Sequence, residues 1–566
     1  MKRIVSMCMV IAVVFGMGLS QSGAGETKPI AALAVASYND LVSDVNFVGK
    51  LVERPQLGAG LEGLLAMVTQ GKGLDGIDKT RTWGLVVQCS GEEKFTGYVF
   101  LPITEFKKTL GLLELYCTVD SQGDVYKVTP KDGKNGGYVK QQGTWAFFAE
   151  KPEMLAQCDA NPVALLGKLN KAYIMAGRIF LANVPEGVRG KFLSQLRQGL
   201  QKNVAQHADE SNDDYANRKK TSDQLESYVT RVFGELDQVL FGWGLDQTAE
   251  KTFIDVSVTA KRGTETAKEF ALAAKTTTQF AGFRIPGAAV TATWAGLIPA
   301  AKQQMAAGTI EAGRGKALAD IEKKCPENSR AAAKEVLNDG ASLLQKIVKS
   351  GHVDAVATVF VGPKAATGLL AAYVADGALL DKILHTVAKA VFADHPELEQ
   401  FVKLDEKSGE INFHKISIPI PENSEDAQKA VKLIGDKLDV VIGVGKENAY
   451  LAVGRDALAT LQKAIESSAQ AGAKAASPME ISVAGKPVAA MVAAVGKPPE
   501  QSKAARIESE LQKTPDKDHI ILAVRPVANG VQVHLEVEQG LVRLFGRLAV
   551  GGMEPTNSVT APAVEE

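Results

Sequence analysis

The sequence is poor in the patterns that announce chemistry. Aromatic residues make up only 6% of its 566 positions, and Cys occurs five times. So few aromatic rings leave few platforms on which bases or sugars could stack. Acid and base nearly cancel: 64 Lys and Arg against 65 Asp and Glu give a net charge of −1. No global field therefore draws nucleic acid or an anionic membrane. No C-x-x-C occurs, which argues against a thioredoxin-type or Zn-ribbon site. His207, His352, His385, His395, His414, His519 and His534 form no H-x-H, H-x-x-x-H or HExxH spacing. The nucleophile patterns G-x-S-x-G and S-x-x-K are missing as well.

Three fragments look chemical until their context is read. Gly58-Ala59-Gly60-Leu61-Glu62-Gly63 spells G-x-G-x-x-G, but Pro55 stands where a buried strand should precede it. It reads as a tightly packed helix start. Gly443-Val444-Gly445-Lys446 resembles part of a phosphate loop, but Val440 and Glu447 occupy the outer motif positions, so a hairpin tip explains it better. Asp209, Glu210, Asp213 and Asp214 are acidic enough for a calcium loop and lack its Gly and closing Glu. The polar run 202–223 that holds them reads as a solvated loop or helix face.

What is present begins with a leader-like N-terminus. Lys2 and Arg3 precede the apolar run Ile4–Leu19, and Ser22-Gly23-Ala24 offers small residues for cleavage after Ala24. The run is shorter than the roughly 20 residues a membrane span needs. No Cys stands at the junction, so lipid anchoring there is not expected. Cys89, Cys117, Cys158 and Cys325 would remain in an oxidising compartment, where disulfides and buried thiols are both open to them.

At 45% hydrophobic and 23% charged the chain is ordinary for a globular protein, and its length suits two to four domains at roughly 100–200 residues each. Its organising feature is a unit that occurs twice. Trp83–Gly111 reads as strand, polar turn at Ser90–Lys94, strand, then a helix with Phe106, Leu110 and Leu113 at helical spacing. Val353–Lys389 repeats the order, with a Gly362-Pro363-Lys364 turn and a helix carrying Leu380, Ile383, Leu384 and Val387. Flanking elements follow suit. The strand at Ala31 matches Ala288–Trp294, and the helix after it matches Pro299–Ala307. Gly58–Gly71 matches Ala331–Ser350. Gly137–Ala149 matches Val440–Gly454. The strand Ala172–Leu181 matches Pro487–Val495, and Gly242–Ala260 matches Ile520–Val537, a hairpin around Asn529-Gly530 that predicts a type I′ turn.

The expected fold is α+β: two related domains, each a mainly antiparallel sheet with helices packed on one face. The expected divisions are a signal peptide at 1–24, domains at 25–275 and 288–550, a connector at 276–287 and a disordered tail at 551–566. Ser467–Pro478 reads as a small-residue linker. In its leader, strand-rich halves and Ala-rich helices the chain resembles large exported bacterial proteins, a likeness that carries no site residues across. The expected function is a non-enzymatic exported envelope protein with a binding, scaffold or assembly role. The rival is an extracytoplasmic hydrolase whose site assembles from scattered residues. The sequence nominates no catalytic, cofactor-binding or metal residue and implies no cofactor. Its expected partner is an envelope protein or a small ligand, with no nucleic acid and no membrane span in the mature chain.

Overall fold

The computed structural model describes residues 27–89, 95–133, 136–201, 206, 212–361, 366–420 and 425–549. The leader, the tail, His207 and the turn residues Ser90–Lys94 and Gly362–Lys364 lie outside these. Strands and helices mix, and every described strand pairing is antiparallel. In chain order the first ten strands are β1 Lys28–Val35, β2 Trp83–Cys89, β3 Phe95–Pro102, β4 Cys117–Gln122, β5 Val125–Pro130, β6 Gly137–Gln142, β7 Trp145–Ala149, β8 Met175–Phe180, β9 Leu236–Asp246 and β10 Lys251–Ala260. After the two-residue β11 Thr277–Thr278 come β12 Val290–Leu297, β13 His352–Val361, β14 Ala366–Tyr373, β15 Val402–Ser408, β16 Ile411–Pro419, β17 Lys437–Val444 and β18 Asn448–Gly454. The short β19 Lys474–Ala475 pairs with β11, and β20 Met479–Ala484, β21 His519–Val527 and β22 Gly530–Glu538 complete the set.

Twenty of these strands form one sheet. From one edge the pairing runs β4-β5-β6-β7-β3-β2-β1-β8-β9-β10. It then crosses to β22 and runs β22-β21-β20-β12-β13-β14-β18-β17-β16-β15. Counted outward from the β10–β22 seam, each half visits its strands in the same chain order. Where the sequence suggests two sheets, the strands join in one, because β10 Lys251–Thr259 pairs along its length with β22 Gly530–Glu538.

The strands alternate as half-buried strands should. In β13, Asp354, Val356 and Thr358 are buried while Ala355 and Ala357 are half-buried. On the more deeply covered face Ala32, Ala34, Val86, Phe100 and Phe147 pack beneath Leu155 and Leu166. In the other half Val356, Leu369, Phe413 and Tyr450 pack beneath Leu461, Phe280 and Phe283. Helices lie on the second face too, which corrects the one-face expectation. Leu110 of helix Phe106–Leu113 packs on Val128, Val139 and Ala146 there. Leu511, Leu541 and Leu544 of helices Pro498–Leu511 and Gln539–Ala549 close over Ile520 and Val537. The reason is visible in β7, whose Trp145-Ala146-Phe147 is buried on both sides, so that both faces demand cover.

Other expectations shift for equally local reasons. Pro487–Val495 belongs to helix Gly485–Val495, and the strand precedes it at β20. The Ala-rich run favours helix and the β-branched Ile481 and Val483 favour strand. The supposed linker at Ser467 is the end of helix Ala457–Ala471, stopped by Gly472 at φ 62°. The helix expected at Pro299–Ala307 runs on from Ala300 to Lys324. The connector 276–287 carries Phe280 and Phe283, both buried in the second core. No disulfide joins the four cysteines: Cys89 and Cys117 are buried thiols, Cys158 and Cys325 half-buried ones. Among the described residues no helix is long and apolar enough to cross a membrane.

Candidate functional site

Three features stand apart from ordinary packing. The first is apolar. The half-covered face of the sheet carries Phe241, Val256, Val533, Val524, Met479 and Trp294 in a single row, each directly opposite the next across five strand pairings. The neighbouring row is Trp243, Ile254, Leu535, Leu522 and Ile481. Between the helices at either end these side chains remain open: Trp243 is 41% exposed, Val533 40% and Trp294 39%. The Trp243 indole N–H donates to Thr252 Oγ1 at 2.9 Å, leaving its ring to the surroundings. Isolated exposed apolar residues are normal, but a contiguous patch of them marks an interaction surface.

The second feature is a buried ionic network at the seam. His534 Nδ1 lies 2.6 Å from Asp255 Oδ1, and His534 Nε2 lies 3.0 Å from Glu536 Oε2. Tyr173 donates its hydroxyl to Asp255 Oδ2 at 2.8 Å, and Lys251 Nζ reaches Glu536 Oε2 at 2.9 Å. Burial pushes the Glu536 carboxyl up, but the bonds from His534 and Lys251 and their charge outweigh it and leave the group below its ordinary value. Burial, aided by Asp255, pushes the Tyr173 hydroxyl up. Every charged member has a partner, and His534 stacks on Phe253 with ring centroids 5.7 Å apart. The network fastens β10 to β22 and lines neither described pocket.

The third feature is a cluster near the far edge of the second half, under helix Gly377–Asp394. Asp376 caps that helix by accepting from Leu379 N at 3.0 Å. The helix start meets the tip of the β17–β18 hairpin, where Gly377 N donates to Lys446 O at 2.9 Å. A Cβ at Gly377 would run into the Gly445 carbonyl, so Gly443–Lys446 is a hairpin tip shaped to seat a helix. One turn on, Asp381 and His385 share a helical face at i, i+4. His385 Nδ1 lies 2.9 Å from the Asp381 backbone oxygen and Nε2 lies 2.9 Å from Asp405 Oδ2. Asn412 Nδ2 donates to Asp405 Oδ1 at 2.8 Å and to Asp381 Oδ1 at 3.2 Å. His414 Nε2 lies 2.7 Å from Asp381 Oδ1, and its ring is only 2% exposed. The Asp381 carbonyl first, and then the Asp405 carboxylate, hold His385 above its ordinary pKa. Asn412 first, and then His385, hold Asp405 below its own.

The structure thus gathers two of the sequence's histidines, His385 and His414, into one cluster and a third, His534, into the seam. His352 packs edge-on against Tyr373, His395 faces Glu397 and His519 faces Glu538. Gly58 opens helix Leu57–Val68 against the Asn46 side chain, with no strand before it. Asp209 and Glu210 lie outside the described residues. Sequence spacing misses the cluster because Asp381 and His385 lie on a helix while Asp405, Asn412 and His414 lie on β15 and β16. The one local signal is the D-x-x-x-H pair. No family model, curated protein or solved structure matches the chain.

Proposed function

We propose that the chain is a non-enzymatic, exported envelope protein that binds acyl chains of lipids against the open apolar face of its sheet. The carrying observation is the pair of half-exposed apolar rows between Phe241 and Trp294. Their eleven named side chains offer no polar atom beyond the two indole N–H groups. Protein interfaces carry about one hydrogen bond per 100–200 Å², which these rows could not supply. A hydrocarbon needs no directional partner. Six strands at about 4.8 Å spacing give rows on the order of 25 Å long. Each buried methylene contributes about 0.8 kcal/mol, so even partial burial of one long chain offsets ordering costs of several kcal/mol. Export is supported by the basic start and apolar run of residues 2–19.

The test titrates the purified mature protein with brominated fatty acid and follows Trp fluorescence. Saturable quenching is expected, and Val533→Asp should weaken it at least tenfold while circular dichroism stays unchanged. Absence of saturable quenching, or indifference to Val533→Asp, would overturn the proposal. So would sedimentation showing a stable dimer that buries this face. Turnover of an ester, peptide, glycoside or phosphate substrate would overturn its non-enzymatic part.

A further inference from the structure

We infer that Asp381, His385 and Asp405 form a site for a divalent transition-metal cation of the zinc type, held in shape by Asn412 and His414. One ligand atom from each of the three residues lies within 4.8 Å of the others. Zinc takes imidazole nitrogen and carboxylate oxygen at about 2.0–2.2 Å, so a modest contraction of the trio would satisfy it. Two carboxylates and a neutral imidazole balance the charge of one dication, and hard Ca²⁺ or Mg²⁺ would gain little from the imidazole.

The hydrogen bonds prepare each ligand. With Nδ1–H given to the Asp381 backbone oxygen, the neutral His385 ring carries its lone pair on Nε2. That lone pair faces Asp405 Oδ2 at 2.9 Å, and two electron-rich atoms so placed need a proton or a cation between them. Metal-binding imidazoles are commonly fixed by such a bond from the other ring nitrogen. Asn412 holds the two carboxylates together through its amide N–H groups, and His414 holds Asp381 from beneath.

Two further observations separate this cluster from a structural one. His414 Nδ1 and Asn412 Oδ1 are both buried without a partner among the described residues. Leaving such groups unpaired costs stability. The corresponding contact in the first half, helix Phe106–Leu113 on β4–β7, is apolar, built from Leu110, Cys117, Val128 and Val139. The architecture at this place therefore does not require polar residues. Asp405 and His385 have side chains 53% and 40% exposed, which leaves a route for the ion and room for water as further ligands. A bound ion would clip the helix to the edge strand β15.

Isothermal titration of the purified mature protein with ZnCl₂ in a non-chelating buffer tests this, beside melting temperatures with and without the metal. The expected result is one site of micromolar affinity and a metal-dependent rise in melting temperature. Asp405→Asn combined with His385→Gln should abolish both, leaving a melting temperature that no longer responds to the metal. His414→Gln should weaken binding about tenfold or more, as loss of a positioning group does. Identical zinc stoichiometry and melting shift in the parent and the double variant would overturn the proposal. Tighter binding of Ca²⁺ than Zn²⁺ would overturn the transition-metal class.

Discussion

The Asn529-Gly530 pair gives the sharpest test of how the seam is built. Asn529 alone of the two sits at positive φ, 55°, and the two-residue turn is Ala528-Asn529 between the paired Val527 and Gly530. The type I′ expectation is corrected accordingly: Gly530 is needed for space, not for a left-handed backbone. It is buried at the start of β22, paired with Thr259 of β10. A Cβ there would overlap the Val258 carbonyl oxygen and stand 2.8 Å from Thr259 Cγ2 and 3.0 Å from Thr259 Cα. Because the obstacle is backbone, the strand itself must shift. Forcing a methyl into filled space costs about 1–3 kcal/mol, and the stiffer unfolded chain returns about 0.4–1 kcal/mol. Gly530→Ala should therefore destabilise the chain by about 1–2 kcal/mol. Urea unfolding followed by Trp fluorescence measures this, with Gly190→Ala as control. Gly190 lies inside helix Glu186–Gln201 with nothing within 4 Å of a new Cβ, so that change should stabilise by about 0.5–1 kcal/mol. A Gly530→Ala protein as stable as the parent would refute the close approach of β10 and β22.

Other consequences can be measured on the same samples. Asp255→Ala strips an acceptor from both His534 and Tyr173, and breaking a buried pair costs about 3–5 kcal/mol; a urea midpoint equal to the parent's would show the network to be dispensable. Glu538 accepts from His519 N and faces His519 Nδ1, both at 2.9 Å, and with nearby Asp518 and Asp516 raises the His519 pKa. A raised folded value means stability present below about pH 6.5 and lost as pH rises through the folded pKa. His519→Gln should flatten that part of the stability–pH curve. Burial pushes the Cys158 thiol up to about 12 and raises Cys117 as well, so native protein should alkylate slowly at neutral pH. Unfolding without reductant should then expose four alkylatable thiols at Cys89, Cys117, Cys158 and Cys325, and fewer would reveal a disulfide.

Much of the α+β content was legible in the sequence because its signals are local. Alternation marks β2, β3, β13 and β14, and helical spacing marks Phe106, Leu110 and Leu113. Pro and Gly punctuate the ends. The repeated order of elements rests on the same short-range grammar. Residues 402–419 escaped it because a register shift between Lys403 and Glu406 breaks the period of two, and a buried His414 stands where an apolar residue would have signalled a strand. The join at β10 and β22 brings Asp255 beside His534 from 279 positions away, and no local pattern encodes a pairing that distant. The open apolar rows were hidden for the same reason: each strand contributes one or two apolar residues, ordinary by themselves, and only the register lines them up. The His385 cluster depends on a helix lying across two strands, so its residue types were present in the sequence but their meeting was decided by tertiary packing.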